Sequence, residues 1–294
     1  MKNDIPAIAT PVRTMAILNR YHLRAKHSLG QNFLISLNVL REIMDAAHLT
    51  KADDVIEIGP GIGGLTEQLA KRAHKVMAFE IDQKLIPVLK ETLAPYHNVK
   101  IINQDVLKAD LPKFIHEELG DDRQVKIAAN LPYYITTPII VELLKSHARF
   151  SSISVTMQKE VAERLTASPG SKTYGAISVI LQYLNHVRIA NLISNRAFWP
   201  KPKVTSAIVE LHRWKKIAKP VFEVGRFSSF VRSCFTHRRK TLQNNLKSRF
   251  GKPQRPVIKQ VLGRLQINPM LRPEEISIPA YVKMANEFHH CDLL

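Results

Sequence analysis

Cysteine is nearly missing from this chain: Cys234 and Cys291 are the only two in 294 residues. Neither forms a CxxC pair, and neither sits with histidine at zinc-finger spacing. A disulfide framework is therefore excluded, a reducing compartment fits, and no structural metal is expected. His289, His290 and Cys291 adjoin at the C-terminus and read as a solvated tail. Long apolar runs are also lacking. None approaches the roughly 20 residues needed to cross a bilayer, so no membrane anchor is expected. The first 30 residues contain no compact apolar stretch ahead of a small-residue cleavage site, which argues against a secretory signal. Their basic, acid-poor character leaves a transit peptide open, and the cytoplasm is the expected location. Internal repeats and low-complexity segments are absent. Acidic residues are scarce: 25 Asp+Glu face 43 Lys+Arg, a formal charge of +18. Such an imbalance points to polyanionic partners, nucleic acid first and an anionic membrane surface second.

With 45% hydrophobic and 7% aromatic residues, the chain can fill a core. Its length suits one large α/β domain and a smaller module. From about residue 36, helical and strand patterns alternate. "NVLREIMDAAHL" has apolar residues at helical spacing, and "DVIEIG" reads as a short buried strand. "LTEQLAKRA" and "LIPVLKETLAP" follow as helices, "KVMAFEID" and "VKIINQDV" as strands. "VKIAANLPYY" continues the series, then the helix "PIIVELLKSH" and the strand "ISVTMQ". Repeated units of this kind predict a mostly parallel sheet with helices on both faces and ligands at the carboxyl ends of the strands. "VRIANLI" and "TSAIVELHR" are candidates to close the sheet. Near residue 213 the pattern changes. Residues 213–294 hold 17 of the Lys+Arg but only 5 of the Asp+Glu, and their apolar spacing is helical. The expected division is thus an α/β domain over 1–212, with a basic N-terminal segment, and a small basic helical domain over 213–294. That module either contacts nucleic acid or merely covers an edge of the main domain.

"VIEIGPGIGGLTEQLA" places Gly59, Gly61, Gly63 and Gly64 between a strand and a helix, where the backbone must turn sharply and a ligand can approach closely. Glu80 ends the next strand, suited to accept hydrogen bonds from ribose hydroxyls. Asp105 ends the third, in "NQDV", placed for an adenine amine. Together they imply an adenosine-containing cofactor. A dinucleotide would present phosphates to this loop, and Glu57 in "EIGPG" is a poor neighbour for phosphate. It tolerates a sulfonium or an ammonium, so the electrostatics favour S-adenosylmethionine over NAD.

"ANLPYYITTP", residues 129–138, ends the fourth strand of the series. Asn130 and the Leu131 carbonyl can accept from an exocyclic amine, Pro132 stiffens the turn, and Tyr133 offers a ring for a planar base. An ordinary turn with two half-buried tyrosines, Tyr133 and Tyr134, has the same sequence. An adenine N6 lone pair is delocalised into its ring. Acceptors that hold its hydrogens draw that pair towards a methyl donor, so no acid, metal or covalent nucleophile is required.

"GQNFL", "EIGPGIGGLT", "NLPYYITTP", "MQKEVAERL", "FWPKPKVTSA" and "FTHRRKTLQNNL", in that order over about residues 25–250, resemble segments of the dimethyladenosine transferase family, the KsgA/RsmA type of small-subunit ribosomal RNA adenine methyltransferase. The resemblance implies a Rossmann-like class I S-adenosylmethionine-dependent methyltransferase domain followed by a small helical domain. It implies cofactor contacts from Asn32, Leu34, Gly59, Glu80, Asp105 and Asn130, with Gly61 in the same loop. It also implies double methylation of two adjacent adenosines near the 3′ end of 16S rRNA by a monomeric enzyme with a role in subunit biogenesis. Phe198, in "RAFWPKPKV", is a candidate for a second ring against a base taken from its stack, opposite Tyr133, or else a core aromatic before a stiff turn. Arg238, Arg239 and Lys240 are candidate phosphate contacts, or a solvated helix face. The basic "RYHLRAKHSLGQNFL" is expected to order over substrate and cofactor. Two other readings stay open: a relative that methylates an adenine in 23S rRNA to confer antibiotic resistance, and a ribosome-assembly factor acting mainly by binding. A transcription-factor descendant is disfavoured by the intact site.

Overall fold

A computed structural model describes residues 6–26, 30–120, 122–146, 148 and 150–294. Among the described residues nine strands are formed: β1 (Phe33–Leu34), β2 (Asp54–Ile58), β3 (Lys75–Phe79), β4 (Val99–Ile102), β5 (Val125–Asn130), β6 (Phe150–Gln158), β7 (Asn185–Ile193), β8 (Phe198–Trp199) and β9 (Ser206–Arg213). Seven of them make one sheet in the order β4-β3-β2-β5-β6-β9-β7. The first five in that order run parallel, and β9 is antiparallel to β6. Both "VRIANLI" and "TSAIVELHR" therefore join the sheet, as expected. β2 sits between β3 and β5, so the connections leave it in opposite directions. A crevice opens there at the strand ends, the switch point where doubly wound sheets hold ligands. Every residue of β2 is buried, as a central strand covered on both faces requires.

The helices are α1 (Pro11–Arg20), α2 (Leu37–Ala46), α3 (Gly64–Arg72), α4 (Ile86–Thr92), α5 (Leu111–Phe114), α6 (Thr136–Lys145), α7 (Lys159–Leu165), α8 (Ala176–Leu184), α9 (Val224–Cys234), α10 (Leu242–Phe250), α11 (Arg255–Arg264) and α12 (Ile278–His290). The chain forms two compact units: residues 1–162 with 188–212, and residues 163–187 with 213–294. Segment 163–187, expected within the first domain, packs with the second unit. Its α8 is almost wholly apolar, so helical spacing gave no warning that it belongs to a bundle.

In the first unit, Leu40, Ile43 and Met44 of α2 and Leu65 and Leu69 of α3 pack with Val55 and Val76 of the sheet. α1 is a feature that the alternating pattern did not disclose. The Thr10 hydroxyl caps it, Pro11 starts it, and Ile17 and Leu18 pack with Leu85, Val88 and Leu89 at α4. The Ile8 N–H donates to the buried Glu67 carboxylate at 2.9 Å, tying this segment to α3. In the second unit, Phe230, Phe250 and Phe288 pack with centroids 5.0–6.4 Å apart. Tyr281 is wholly buried and donates to the Pro273 carbonyl at 2.7 Å.

Candidate active site

The crevice at the head of β2, β3 and β5 encloses ≈ 1230 Å³, its open mouth included. Asn32, Leu34, Gly59, Gly61, Glu80, Asp105, Asn130, Leu131, Pro132 and Tyr133 all line it. Residues taken from five separate sequence segments thus meet around one crevice.

The glycine loop is held by the residue expected to face ribose. The Gly61 N–H donates to Glu80 Oε2 at 3.1 Å, and the Asp82 N–H donates to Glu80 Oε1 at 2.8 Å. Burial raises the Glu80 carboxyl above its usual range, and these backbone donors pull the other way. Asp82 in turn accepts from Lys26 Nζ at 2.7 Å and from Gln31 Nε2 at 3.2 Å, joining the N-terminal segment to this side of the crevice. Part of that segment, residues 27–29, lies outside the described residues. Asp105 lies just past β4 rather than within it, half-buried. Its Oδ1 accepts from the Leu107 N–H at 3.0 Å and caps a 3₁₀ turn.

Glu57 is the least expected element in chemical terms. It is 1% exposed, its Oε2 has no hydrogen-bond partner, and burial pushes its carboxyl up to about 8. A buried carboxylate in this position is stabilised by a cation. Phe79, Ile81, Val106 and Leu107 supply apolar walls between the polar groups. An adenosine bearing a sulfonium and an amino acid head fits that set: flat apolar walls, carboxylates at successive strand ends and a carboxyl in need of positive charge.

At the end of β5, Asn130 is locked from both sides. Its Nδ2 donates to the Asn32 carbonyl at 2.8 Å, and its Oδ1 accepts from Thr156 Oγ1 at 2.6 Å. Thr156 lies on β6, directly opposite Asn130 in the register. The Tyr133 hydroxyl meets Ser206 Oγ at 2.6 Å, and burial raises the phenol above its ordinary range. Tyr134 is 56% exposed at the rim, with its ring against Gly30. Thr156 carried no motif of its own, and Ser206 was given no role although it lies within "FWPKPKVTSA". Strand register reveals Thr156, which lies across from Asn130, whereas Ser206 pairs with Gln158 and reaches Tyr133 only through the tertiary fold.

Two expectations need correction. Phe198 is fully buried, paired with Leu34 in the short β1–β8 ladder and packed in the core, and it does not line the crevice. Its bland reading as a core aromatic is the one that describes its position. Arg238 to Lys240 form a turn between α9 and α10 instead of a helix face. Arg238 Nη2 donates to the Lys172 and Tyr174 carbonyls within its own unit, and Arg238, Arg239 and Lys240 are all exposed.

A seven-stranded sheet with this order, crevice and carboxylate set defines a class I S-adenosylmethionine-dependent methyltransferase. Residues 22–289 match the model of the "Ribosomal RNA adenine dimethylase" family, and the chain belongs to that family. It is 54% identical over 296 residues to "Ribosomal RNA small subunit methyltransferase A" of Levilactobacillus brevis, covering 100% of both chains. It is 46% identical over 285 residues to the protein of the same name from Geobacillus sp., covering 96% of this chain and 98% of that one. Among solved structures, a dimethyladenosine transferase from Plasmodium falciparum aligns with TM-score 0.73 at 25% identity, covering 87% of this chain and 97% of that one. The 23S rRNA methyltransferase ErmE aligns with TM-score 0.68, also at 25% identity, over 88% of this chain and 100% of that one.

Proposed function

We propose that this protein transfers methyl groups to the N6 atoms of adenosines in small-subunit ribosomal RNA, two on each of two adjacent residues near the 3′ end of 16S rRNA. The observation that carries the reading is the fixed Asn130 amide. Its orientation is set by Thr156 and the Asn32 carbonyl, and it lies beside the Leu131 carbonyl in a crevice built for S-adenosylmethionine. The small-subunit target rests on the shared name of the relatives that match over nearly the full chain.

S-adenosylmethionine supplies an activated methyl group on a cationic sulfur. The protein's own residues position the acceptor. Asn130 Oδ1, with one lone pair engaged by Thr156, retains a second for an amine hydrogen, and the Leu131 carbonyl offers another acceptor. Holding both hydrogens draws the nitrogen lone pair out of the adenine ring, an effect that strengthens as positive charge develops on the nitrogen. The half-buried Tyr133 ring stacks on the base, its hydroxyl anchored on Ser206. The target must be unpaired or flipped to reach this wall. The reaction needs no metal. Exposed Arg239 and Lys240 in the basic second unit contact phosphates, the enzyme acts as a monomer, and it works in the cytoplasm on precursor subunits. Among the described residues no helix is long and apolar enough to cross a membrane.

The test is transfer of labelled methyl from S-adenosylmethionine to unmodified small and large subunits, followed by nucleoside analysis. Dimethyladenosine in the small subunit alone is the expected result. Label in the large subunit would move the activity to the 23S class. An Asn130→Ala variant that loses methylation yet restores subunit maturation would make binding the main role.

A further inference from the structure

The parallel strands carry the cofactor crevice at their carboxyl ends. Towards the opposite, amino-terminal end of these strands lies a cluster that the methylation chemistry does not use. His48 follows α2, and Glu210 and His212 lie at the end of β9, where His212 pairs with Ser152 near the start of β6. Their ligand atoms all lie within 4.8 Å of one another. None of the three lines the crevice.

Three observations distinguish this cluster from an accidental meeting of polar side chains. Glu210 is 1% exposed, and its Oε2 has no hydrogen-bond partner; that atom lies 3.8 Å from His212 Nε2. A buried carboxylate oxygen without a donor is costly, and a cation between it and the imidazoles relieves the cost. Next, the two imidazoles lie with centroids 4.9 Å apart and planes tilted by 41°, a spacing that a bridging ion accommodates. Finally, the support is in place. Arg188 holds Glu210 Oε1, leaving Oε2 to point at the histidines. Buried Lys126 donates to the His48 carbonyl at 2.6 Å and to Asp53 Oδ2 at 2.9 Å, fixing the backbone of the turn. Such outer contacts orient metal ligands. His48 occupies a left-handed position, φ 49°, just after a helix end, where glycine is the usual residue.

We propose that His48, Glu210 and His212 form a binding site for Zn²⁺ or a similar borderline divalent ion. Two imidazole nitrogens and one carboxylate oxygen suit such ions, with solvent in the fourth position of a tetrahedron. Ligand bonds of about 2.0–2.2 Å require the atoms to draw closer than they now stand. The exposed His48 ring supplies that movement. The site would pin the segment after α2 to β9, at the opposite end of the strands from catalysis. Cysteine and histidine spacing gave no hint of it, because its members are far apart in sequence.

The test uses full-length protein stripped with a chelator, then titrated with Zn²⁺ by calorimetry and with Co²⁺ by visible absorption. One equivalent bound, with the intense d–d bands of a tetrahedral Co²⁺ complex and a higher melting temperature, is expected. His48→Ala and His212→Ala should each weaken binding at least tenfold and remove the melting shift, while methyl transfer stays unchanged in His48→Ala. His48 is exposed, so this variant tests the site even if Glu210→Gln fails to fold. No binding up to millimolar metal would overturn the proposal. So would binding that survives the His48→Ala/His212→Ala double substitution, which would place the metal elsewhere, the terminal His289–His290–Cys291 run included.

Discussion

Thr156 Oγ1 donates to Asn130 Oδ1 at 2.6 Å across the β5–β6 pair, so a hydroxyl with no exposed surface sets which face of the Asn130 amide meets the substrate. Removing it frees the amide to rotate and present its NH₂ to the target amine. Thr156→Val keeps the shape and deletes the donor. The lost positioning should cost about 1–2 kcal/mol in the transition state, a five- to thirtyfold fall in kcat. Cofactor affinity, measured by calorimetry, should move much less. An unchanged kcat would show that the Asn32 carbonyl alone holds the amide. Asn130→Ala, which removes the acceptor itself, should cost about 10²–10³ in kcat.

Tyr133 has two separable parts. The ring lines the crevice, and the hydroxyl is anchored on Ser206 at 2.6 Å. Tyr133→Phe keeps the stacking surface and should lower methylation only several-fold. Tyr133→Ala removes the surface and should cost about 1–3 kcal/mol, seen as a rise in KM for RNA with little change in cofactor binding. Equal loss in both variants would mean that the hydroxyl, not the ring, carries the contribution.

The architecture was legible for a physical reason. Each strand–helix unit buries a continuous apolar run, and the residues at its carboxyl end are spared from packing, so "EIGPG", Glu80, Asp105 and "NLPYY" stand out. What stayed hidden was of two kinds. Thr156 depends on strand register, and Ser206 and the His48–Glu210–His212 group on tertiary packing, neither of which local patterns encode. Phe198 misled because its motif is as compatible with a core aromatic as with a stacking ring; its pairing with Leu34 decided for the core.

Gly59 and Gly61 both have positive φ, 71° and 62°, but their surroundings differ. A Cβ at Gly59 would meet nothing within 4 Å, whereas one at Gly61 would lie 3.2 Å from Phe33 Cε1. Gly59→Ala should therefore incur only the backbone cost, about 1–2 kcal/mol. Gly61→Ala should incur that cost and also displace a buried ring. The expected order of melting temperatures is wild type, Gly59→Ala, Gly61→Ala. Reversal of the two variants in a melting experiment would contradict the account of the loop.

Glu57 gives the pH dependence. Burial, reinforced by the nearby Glu80 charge, pushes its carboxyl up to about 8 from the ordinary 4.5. Between these values the folded protein holds a proton that the unfolded chain releases, so this group's contribution to stability is complete below pH 4.5 and declines as pH rises towards 8. The slope it adds is at most about 1.4 kcal/mol per pH unit. Glu57→Gln cannot ionise and lacks that slope. Chemical denaturation of both proteins without cofactor should show the wild type losing stability relative to Glu57→Gln across this window, and levelling above it. Adding S-adenosylmethionine should flatten the difference, because its permanent sulfonium charge favours the ionised carboxyl and pulls its titration downward. A difference that is independent of pH would mean that Glu57 is ionised throughout and already has a cationic partner.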